Sequence, residues 1–244
     1  MRKLIAIFLL AAFAVLHAIQ VVAEVIPPIG LALGSPYQLI FVTADSTMAL
    51  SSDISTYNAF VTAEAALNPS LPHGVTWDAV VSTAAVNAFA NAPSLGLPIY
   101  NTAGQEVASA AMGLYSGSIL NPVAYDQYGT HVVETNRGDP SGDYFVWTGS
   151  YAGGQAGYPL GSTNGNTGEY FGNAPYTDGT WITSGYWSPA VLGAMPVYAL
   201  SSAIFVPEPA SFTLLASALL LLGANTISSA VTIRLWQGQR HRRF

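Results

Sequence analysis

The run Tyr37-Gln38-Leu39-Ile40-Phe41-Val42-Thr43 has the composition of a β-strand. Aromatic and β-branched residues dominate it, and such residues favour the pleated surface of a sheet. Residues 144–149 (Tyr-Phe-Val-Trp-Thr-Gly) form a second such run and predict a central strand. Trp181-Ile182 and the segment from Tyr198 to Val206 predict the strands that close the domain. We expect the first and last strands to pair and to bring the two ends of the domain together.

Helical signals follow the first strand. Ser51-Ser52-Asp53 offers N-cap residues, and Asn68-Pro69 supplies a stop. Between them an apolar stripe recurs at helical spacing through Ile54, Tyr57, Val61, Ala65 and Asn68, and Phe60 and Leu67 widen it. Residues 98–108 predict a strand, a turn and a strand, whereas 77–86 is ambiguous between helix and strand. The region from Gly153 to Gly179 predicts a long loop. The sequence therefore predicts one α+β domain with early helices and a later, loop-rich antiparallel sheet.

Charge is distributed unevenly along the chain. Only 8% of the 244 residues are charged, against about 25% in an average soluble domain. Between Glu24 and Val206 stand twelve carboxylates and one cation, Arg137, a net charge of −11. Such a segment repels phosphate backbones, so we expect no nucleic-acid partner. There is no cysteine, which excludes disulfides, thiolate metal sites and cysteine nucleophiles.

The N-terminal residues have the pattern of a secretory signal peptide. Arg2-Lys3 precedes the apolar run 4–16, and Val21-Val22-Ala23 ends the segment with small residues where signal peptidase requires them. We expect cleavage between Ala23 and Glu24. Residues 1–23 are then the signal peptide, and residues 24–205 are the exported domain.

The C-terminal residues form a three-part tail. Residues 210–233 carry no charge, and a helix of that length reaches about 36 Å, enough to cross a hydrocarbon core of about 30 Å. The two prolines of the segment 206–211, which begins Val206-Pro207-Glu208-Pro209, predict an extended and unpaired backbone before this span. Basic residues follow the span and orient residues 234–244 to the cytoplasm: Arg234, Arg240, Arg242 and Arg243.

This combination of Pro-Glu-Pro, apolar helix and arginine cluster resembles the PEP-CTERM sorting signal of Gram-negative bacteria. The resemblance implies processing by a membrane enzyme called exosortase, transient anchorage in the membrane, and a final location at the cell surface or outside the cell. It also implies an association with exopolysaccharide and biofilm production. The alternative is an ordinary permanent anchor with an incidental Pro-Glu-Pro.

Residues 37–205 resemble a group of bacterial secreted domains related to the endostatin-like branch of the C-type-lectin-like fold. Short words in a common order carry this resemblance: Phe41-Val42-Thr43, Trp77-Asp78-Ala79, Pro98-Ile99-Tyr100-Asn101, Leu114-Tyr115-Ser116-Gly117, Tyr125-Asp126-Gln127-Tyr128-Gly129 and Val146-Trp147-Thr148-Gly149. It implies a single C-type-lectin-like ectodomain. Relatives carry cysteines that this chain lacks, and no functional residue is transferred from them.

The exported segment contains few candidates for catalysis. His73 and His131 are its only histidines, and neither a Gly-x-Ser-x-Gly elbow nor a His-Glu-x-x-His helix is present. We therefore predict no catalytic residue and no enzyme. Calcium remains an alternative to a domain without cofactors, because several acids stand in loop-like contexts: Asp126, Asp139, Asp143, Glu169 and Asp178.

Aromatic residues on or beside the Gly-rich loops are the remaining candidates for binding: Tyr151, Tyr158, Tyr170, Phe171, Tyr176, Trp181, Tyr186 and Trp187. Aromatic rings beside amides and hydroxyls make adaptable recognition surfaces, although β domains also bury aromatics in their cores. From this set we predict a ligand surface formed by Tyr158, Tyr170, Tyr176, Trp181 and Trp187. Extracellular polysaccharide is the predicted ligand. A polysaccharide-modifying hydrolase and a purely structural matrix protein are the alternatives.

Overall fold

The computed structural model describes residues 28, 30–132, 143–162 and 168–206. These residues form a mixed α+β structure of short strands with few helices, as the sequence predicts. The predicted signal peptide with its cleavage position between Ala23 and Glu24, the predicted span 210–233 and the basic residues 234–244 lie outside the described residues.

A mixed sheet forms the larger part of the structure. Its strands are β1 (Pro36–Val42), β2 (Trp77–Ala79), β3 (Ile99–Asn101), β4 (Glu106–Ala108), β8 (Tyr198–Ser201) and β9 (Ile204–Phe205). The order across the sheet is β2-β8-β1-β3-β4, and β9 also pairs with β1. β1 runs parallel to β3 and antiparallel to β8 and β9. The predicted pairing of the first and last strands is therefore confirmed.

β1 contributes side chains to two hydrophobic cores, one on each face of the sheet. Ile40 and Val42 belong to one core, and Tyr37, Leu39 and Phe41 belong to the other. This alternation follows from the two-residue period of a strand. Because both faces are covered, the strand is apolar along its whole length, which is why its sequence is so clear a signal.

Helix α1 (Ile54–Ala66) packs on the second of these faces. The Asp53 carboxylate accepts a hydrogen bond from the backbone N–H of Ser55 at 2.9 Å, which caps the first turn as predicted. Tyr57 and Val61 are fully buried, in agreement with the predicted stripe. Leu67, predicted to widen that stripe, is instead 55% exposed, because the helix ends at Ala66 and turns it towards solvent.

A second, three-stranded antiparallel sheet has the order β5-β6-β7, with β5 (Phe145–Trp147), β6 (Glu169–Asn173) and β7 (Gly185–Trp187). The prediction of a central strand at residues 144–149 is wrong, because β5 is an edge strand of this sheet. Its sequence is apolar because Val146 packs in the first core and Trp147 in the second. The prediction of one long loop from Gly153 to Gly179 is also wrong, since β6 lies inside it.

Short helical elements complete the described part of the chain: α2 (Ala88–Asn91), a 3-10 helix (Gly179–Trp181) and α3 (Pro189–Leu192). The 3-10 helix replaces the strand predicted at Trp181-Ile182. Asp178 initiates it by accepting a hydrogen bond from the backbone N–H of Thr180 at 3.0 Å. The turn directs the Trp181 indole into the first core, where it is completely buried.

Candidate functional site

Four tyrosines from β6, β7 and the segment between β5 and β6 meet on one face of the small sheet. Tyr170 of β6 and Tyr186 of β7 are register partners, so their side chains point to the same face. Tyr158 reaches the same place because its carbonyl accepts a hydrogen bond from the Tyr170 backbone N–H at 2.9 Å. Tyr151 is the fourth member. We call Tyr151, Tyr158, Tyr170 and Tyr186 the tyrosine cluster.

The rings of the tyrosine cluster are arranged around Tyr170. Its centroid lies 4.9 Å from that of Tyr158 and 5.3 Å from that of Tyr151. Tyr158 and Tyr186 are stacked, with centroids 4.7 Å apart and an angle of 19° between their planes. These are favourable distances for aromatic pairs. The cluster is therefore a packed unit rather than four independent side chains.

A glycine makes this packing possible. A Cβ atom at Gly157 would lie 2.3 Å from Cε2 of Tyr170 and 3.1 Å from Cε2 of Tyr151. Both rings therefore pack directly against the backbone of residue 157. The Tyr151 and Tyr170 side chains are also hydrogen-bonded, and burial, followed by this bond and the neighbouring tyrosines, raises the pKa of Tyr170. The Tyr170 phenol therefore stays a neutral hydrogen-bonding group at ordinary pH.

The cluster is anchored on one side and open on the other. Tyr158 and Tyr170 are half-buried, whereas Tyr186 is 55% and Tyr151 is 48% exposed. About half of each of these two residues is therefore accessible to solvent, on a base held by two further rings. Such a surface can stack against a flat, hydroxyl-rich ligand and hydrogen-bond its edge.

The five residues predicted as a ligand surface do not lie together. Tyr158 and Tyr170 belong to the tyrosine cluster, but Trp181 is a core residue, so its assignment to a surface is wrong. Trp187 is 55% exposed, yet it follows Tyr186 in β7 and is the register partner of Glu169. Successive strand residues face opposite ways, so Trp187 lies on the other face of the sheet. Tyr176 is 43% exposed on the turn after β6.

Two members of the cluster are missing from the predicted surface. Tyr151 and Tyr186 are among the loop aromatics of the sequence, but composition does not distinguish them from Tyr176 or Trp181. The register between β6 and β7 selects Tyr186, and the contact with Gly157 selects Tyr151. The one signal in the sequence that points to these two residues is the position of an aromatic residue next to a glycine-rich turn.

Glu169, at the start of β6, is an unusual carboxylate. Only 3% of the residue is exposed, and among the described residues its Oε2 has no hydrogen-bond partner. Burial raises its pKa to about 7, against the lowering effect of backbone N–H groups of Glu169 and Ser162. Its charge in turn contributes to the raised pKa of Tyr57, for which burial is the main cause. The charged form of Glu169 is therefore disfavoured in the folded protein.

The other acids considered for calcium have local structural partners where they are described. Asp126 Oδ1 accepts hydrogen bonds from the backbone N–H groups of Tyr128 and Thr130, both at 2.9 Å. Asp143 accepts one from the Asn173 side chain at 2.6 Å, Asp178 caps the 3-10 helix, and Asp139 lies outside the described residues. No group of three or more His, Cys, Asp or Glu residues suited to a metal occurs in the described ranges.

The two histidines lie apart in the fold. His131 packs edge-on against Tyr125 with centroids 4.9 Å apart, and the two residues form an isolated antiparallel bridge. His73 lines a pocket of about 210 Å³ beyond the end of α1, together with Leu71 and Trp77. Neither contact brings a histidine to the tyrosine cluster.

The predicted sorting segment begins inside the folded domain. Val206 is 3% exposed, its N–H donates to the Ser35 carbonyl, and its carbonyl accepts from the Gly34 N–H, both at 3.0 Å. The prediction of an unpaired segment is therefore wrong at Val206, because it continues the β1–β9 pairing. Pro207, Glu208 and Pro209 lie outside the described residues.

Within residues 28, 30–132, 143–162 and 168–206, no helix has the length and apolar character needed to cross a membrane. No protein-family model matches the chain, and no curated protein matches it in sequence.

Proposed function

We propose that this chain is an exported, non-enzymatic cell-surface protein that associates with extracellular polysaccharide through the tyrosine cluster. The observation that carries the proposal is the pair of exposed rings, Tyr151 and Tyr186, on a packed aromatic base. Pyranose rings present flat C–H faces, and their hydroxyls lie at the edges, so a tyrosine face contacts the first and a phenol hydroxyl the second. No calcium ion is needed for this mode of binding.

The proposal includes a C-type-lectin-like ectodomain. Support comes from the α+β architecture, the closure of the main sheet by the first and last strands, and the second small sheet that carries the candidate surface.

Titration of the protein against purified exopolysaccharide, with and without calcium, tests the binding. We expect saturable binding in both conditions. Tyr186→Ala should weaken it by about fivefold or more, since one aromatic contact is worth on the order of 1 kcal/mol or more in a recognition surface. Tyr128→Ala is the matched control, because Tyr128 is 53% exposed but lies outside the cluster. If saturable binding is absent both with and without calcium, the proposal is rejected.

Export and sorting form the second part of the proposal. Signal peptidase would act after Ala23, and an exosortase-type enzyme would process the segment beyond Val206. Because Val206 is held in the sheet by backbone hydrogen bonds, the enzyme would have to bind Pro207, Glu208 and Pro209. Mass spectrometry of the surface-located protein should find a mature C-terminus near Pro209. Recovery of Phe244 in all of it would indicate a permanent anchor.

One observation favours the alternative of a polysaccharide-modifying hydrolase. A carboxyl group with a raised pKa, as in Glu169, is what a general acid requires. Hydrolysis also needs a second carboxylate within about 10 Å and access for the substrate, and Glu169 is 3% exposed. Release of reducing ends from the exopolysaccharide by wild-type protein, and its loss in Glu169→Gln, would establish the alternative.

A further inference from the structure

The electrostatic character of the exported domain limits which sugars the tyrosine cluster can select. The described residues include nine carboxylates and neither lysine nor arginine. Arg137 is the one cation between Glu24 and Val206. A domain of this composition carries a negative potential over its surface. It attracts cationic ligands and repels anionic ones.

The chemistry of the cluster agrees with that sign. The face of a phenol ring carries partial negative charge from its π-electrons and attracts an ammonium group placed within about 6 Å of its centroid. Tyr151 and Tyr186 are each about half exposed, and both rings lie beside the half-buried Tyr170. The phenol hydroxyls add acceptors for an ammonium N–H. An acidic sugar would instead require the guanidinium or ammonium groups that pair with carboxylates.

We propose that the tyrosine cluster binds an amine-bearing polysaccharide, such as a deacetylated amino-sugar polymer, in preference to neutral or acidic ones. This inference rests on the proposed polysaccharide-binding function and adds the charge of the sugar. The ammonium group lies against the exposed ring faces of Tyr151 and Tyr186, and the sugar ring stacks beside it. The negative potential of the domain raises the local concentration of such a polymer.

The test compares three hexasaccharides on the full chain in detergent micelles, at a mildly acidic pH at which amines are protonated. The probes are β-1,4-linked glucosamine, its fully N-acetylated counterpart and galacturonic acid. We expect the glucosamine hexamer to bind at least about tenfold more tightly than the acetylated one. Binding of the galacturonic acid hexamer should be weaker still.

Variants separate a site from general attraction between an acidic protein and a cationic polymer. Tyr186→Ala should abolish the preference for the amine, Tyr186→Phe should retain most of it because the ring face remains, and Tyr128→Ala should leave it unchanged. Circular dichroism establishes that each variant is folded. Persistence of the preference in Tyr186→Ala would show diffuse attraction and would overturn the inference.

Other outcomes also decide the question. Equal binding of the amine and acetylated hexamers, lost in Tyr186→Ala, would overturn the charge selection and leave the proposed polysaccharide binding intact. Tightest binding of the galacturonic acid hexamer, lost in Arg137→Gln, would assign the opposite charge preference. Binding of none of the three overturns the inference, whereas the proposed function is decided separately by titration with the native exopolysaccharide.

Discussion

Replacing the buried carboxyl of Glu169 with its neutral isostere should change how the stability of the protein depends on pH. In Glu169→Gln the shape of the side chain and an oxygen that accepts from the backbone are kept, while the ionisable group is lost. The wild-type carboxyl has a pKa raised to about 7 from its ordinary 4.5. The folded protein therefore holds this proton more tightly than the unfolded chain does.

The sign of the effect follows from this difference. Below about pH 4.5 the carboxyl is protonated in both states, and Glu169 costs nothing. As the pH rises from about 4.5 to about 7, the unfolded chain ionises freely and the folded protein does not, so the contribution of Glu169 to stability falls. Each pH unit is worth about 1.4 kcal/mol. The full shift corresponds to about 3 kcal/mol, and relaxation and water penetration around the carboxylate reduce it to between about 1 and 3 kcal/mol.

Urea unfolding at about pH 4.5 and about pH 8, followed by tryptophan fluorescence, measures this effect. Trp147 and Trp181 are both fully buried, so their emission shifts to longer wavelength on unfolding. We expect Glu169→Gln to be near wild type at the lower pH and more stable by about 1 to 3 kcal/mol at the higher one. Glu106→Gln removes one negative charge from a half-buried position and controls for net charge. An equal difference between Glu169→Gln and wild type at both pH values would refute the reasoning.

Two further predictions concern backbone packing. Val206→Asp buries a charge at a position only 3% exposed and should lower the free energy of unfolding by at least about 2 kcal/mol. Phe205→Asp, at 64% exposure, is the control and should change that free energy by less than about 1 kcal/mol. Similar values for the two variants would contradict the fixed position of residue 206. Gly168→Ala places a Cβ 2.2 Å from the Trp187 carbonyl carbon and should cost about 1 to 3 kcal/mol. Gly179→Ala, with its nearest contact at 3.3 Å, should cost less, and urea midpoints that rank the two the other way would disprove the close approach.

Local signals were sufficient where one segment of the sequence determines one element. Asp53, the apolar stripe and Asn68-Pro69 together specify α1, because the N-cap, the buried face and the stop signal all lie within one short stretch of sequence. The apolar composition of β1 and of the segment from Tyr198 likewise predicts strands from local sequence alone. The two strands keep their apolar sequence because a hydrophobic core covers each face of the main sheet.

Elements defined by contacts distant in sequence could not be predicted. The sequence around β6 resembles a loop because it contains Gly168 and Gly172. Both glycines are required where neighbouring backbone approaches closely. A Cβ atom at Gly168 would lie 2.2 Å from the carbonyl carbon of Trp187, and one at Gly172 would lie 2.1 Å from the carbonyl oxygen of Trp181. Trp181-Ile182 has the composition of a strand because both residues are large and apolar. A buried 3-10 turn requires residues of the same kind, so composition does not distinguish the two structures. In both cases packing, rather than propensity, determines the element.

The candidate site shows the same limit. Tyr186 and Trp187 are adjacent and equally exposed, yet the register of β7 on β6 assigns them to opposite faces. A shift of that register by one residue would exchange them. Register depends on partners far along the chain, so aromatic content predicted the type of surface but not its members.

The position of β1 between β3 and β8 also governs when the domain can fold. The backbone N–H of Leu39 donates to Ser201 Oγ at 2.8 Å across 162 positions of sequence. If the chain is exported through a channel as we propose, β1 would emerge long before its antiparallel partner. The main sheet would then form only after the last strands had crossed, and pairing over such a distance is intrinsically slow. The chain would thus thread as an unfolded polymer and acquire its structure in one late step, on the far side of the membrane.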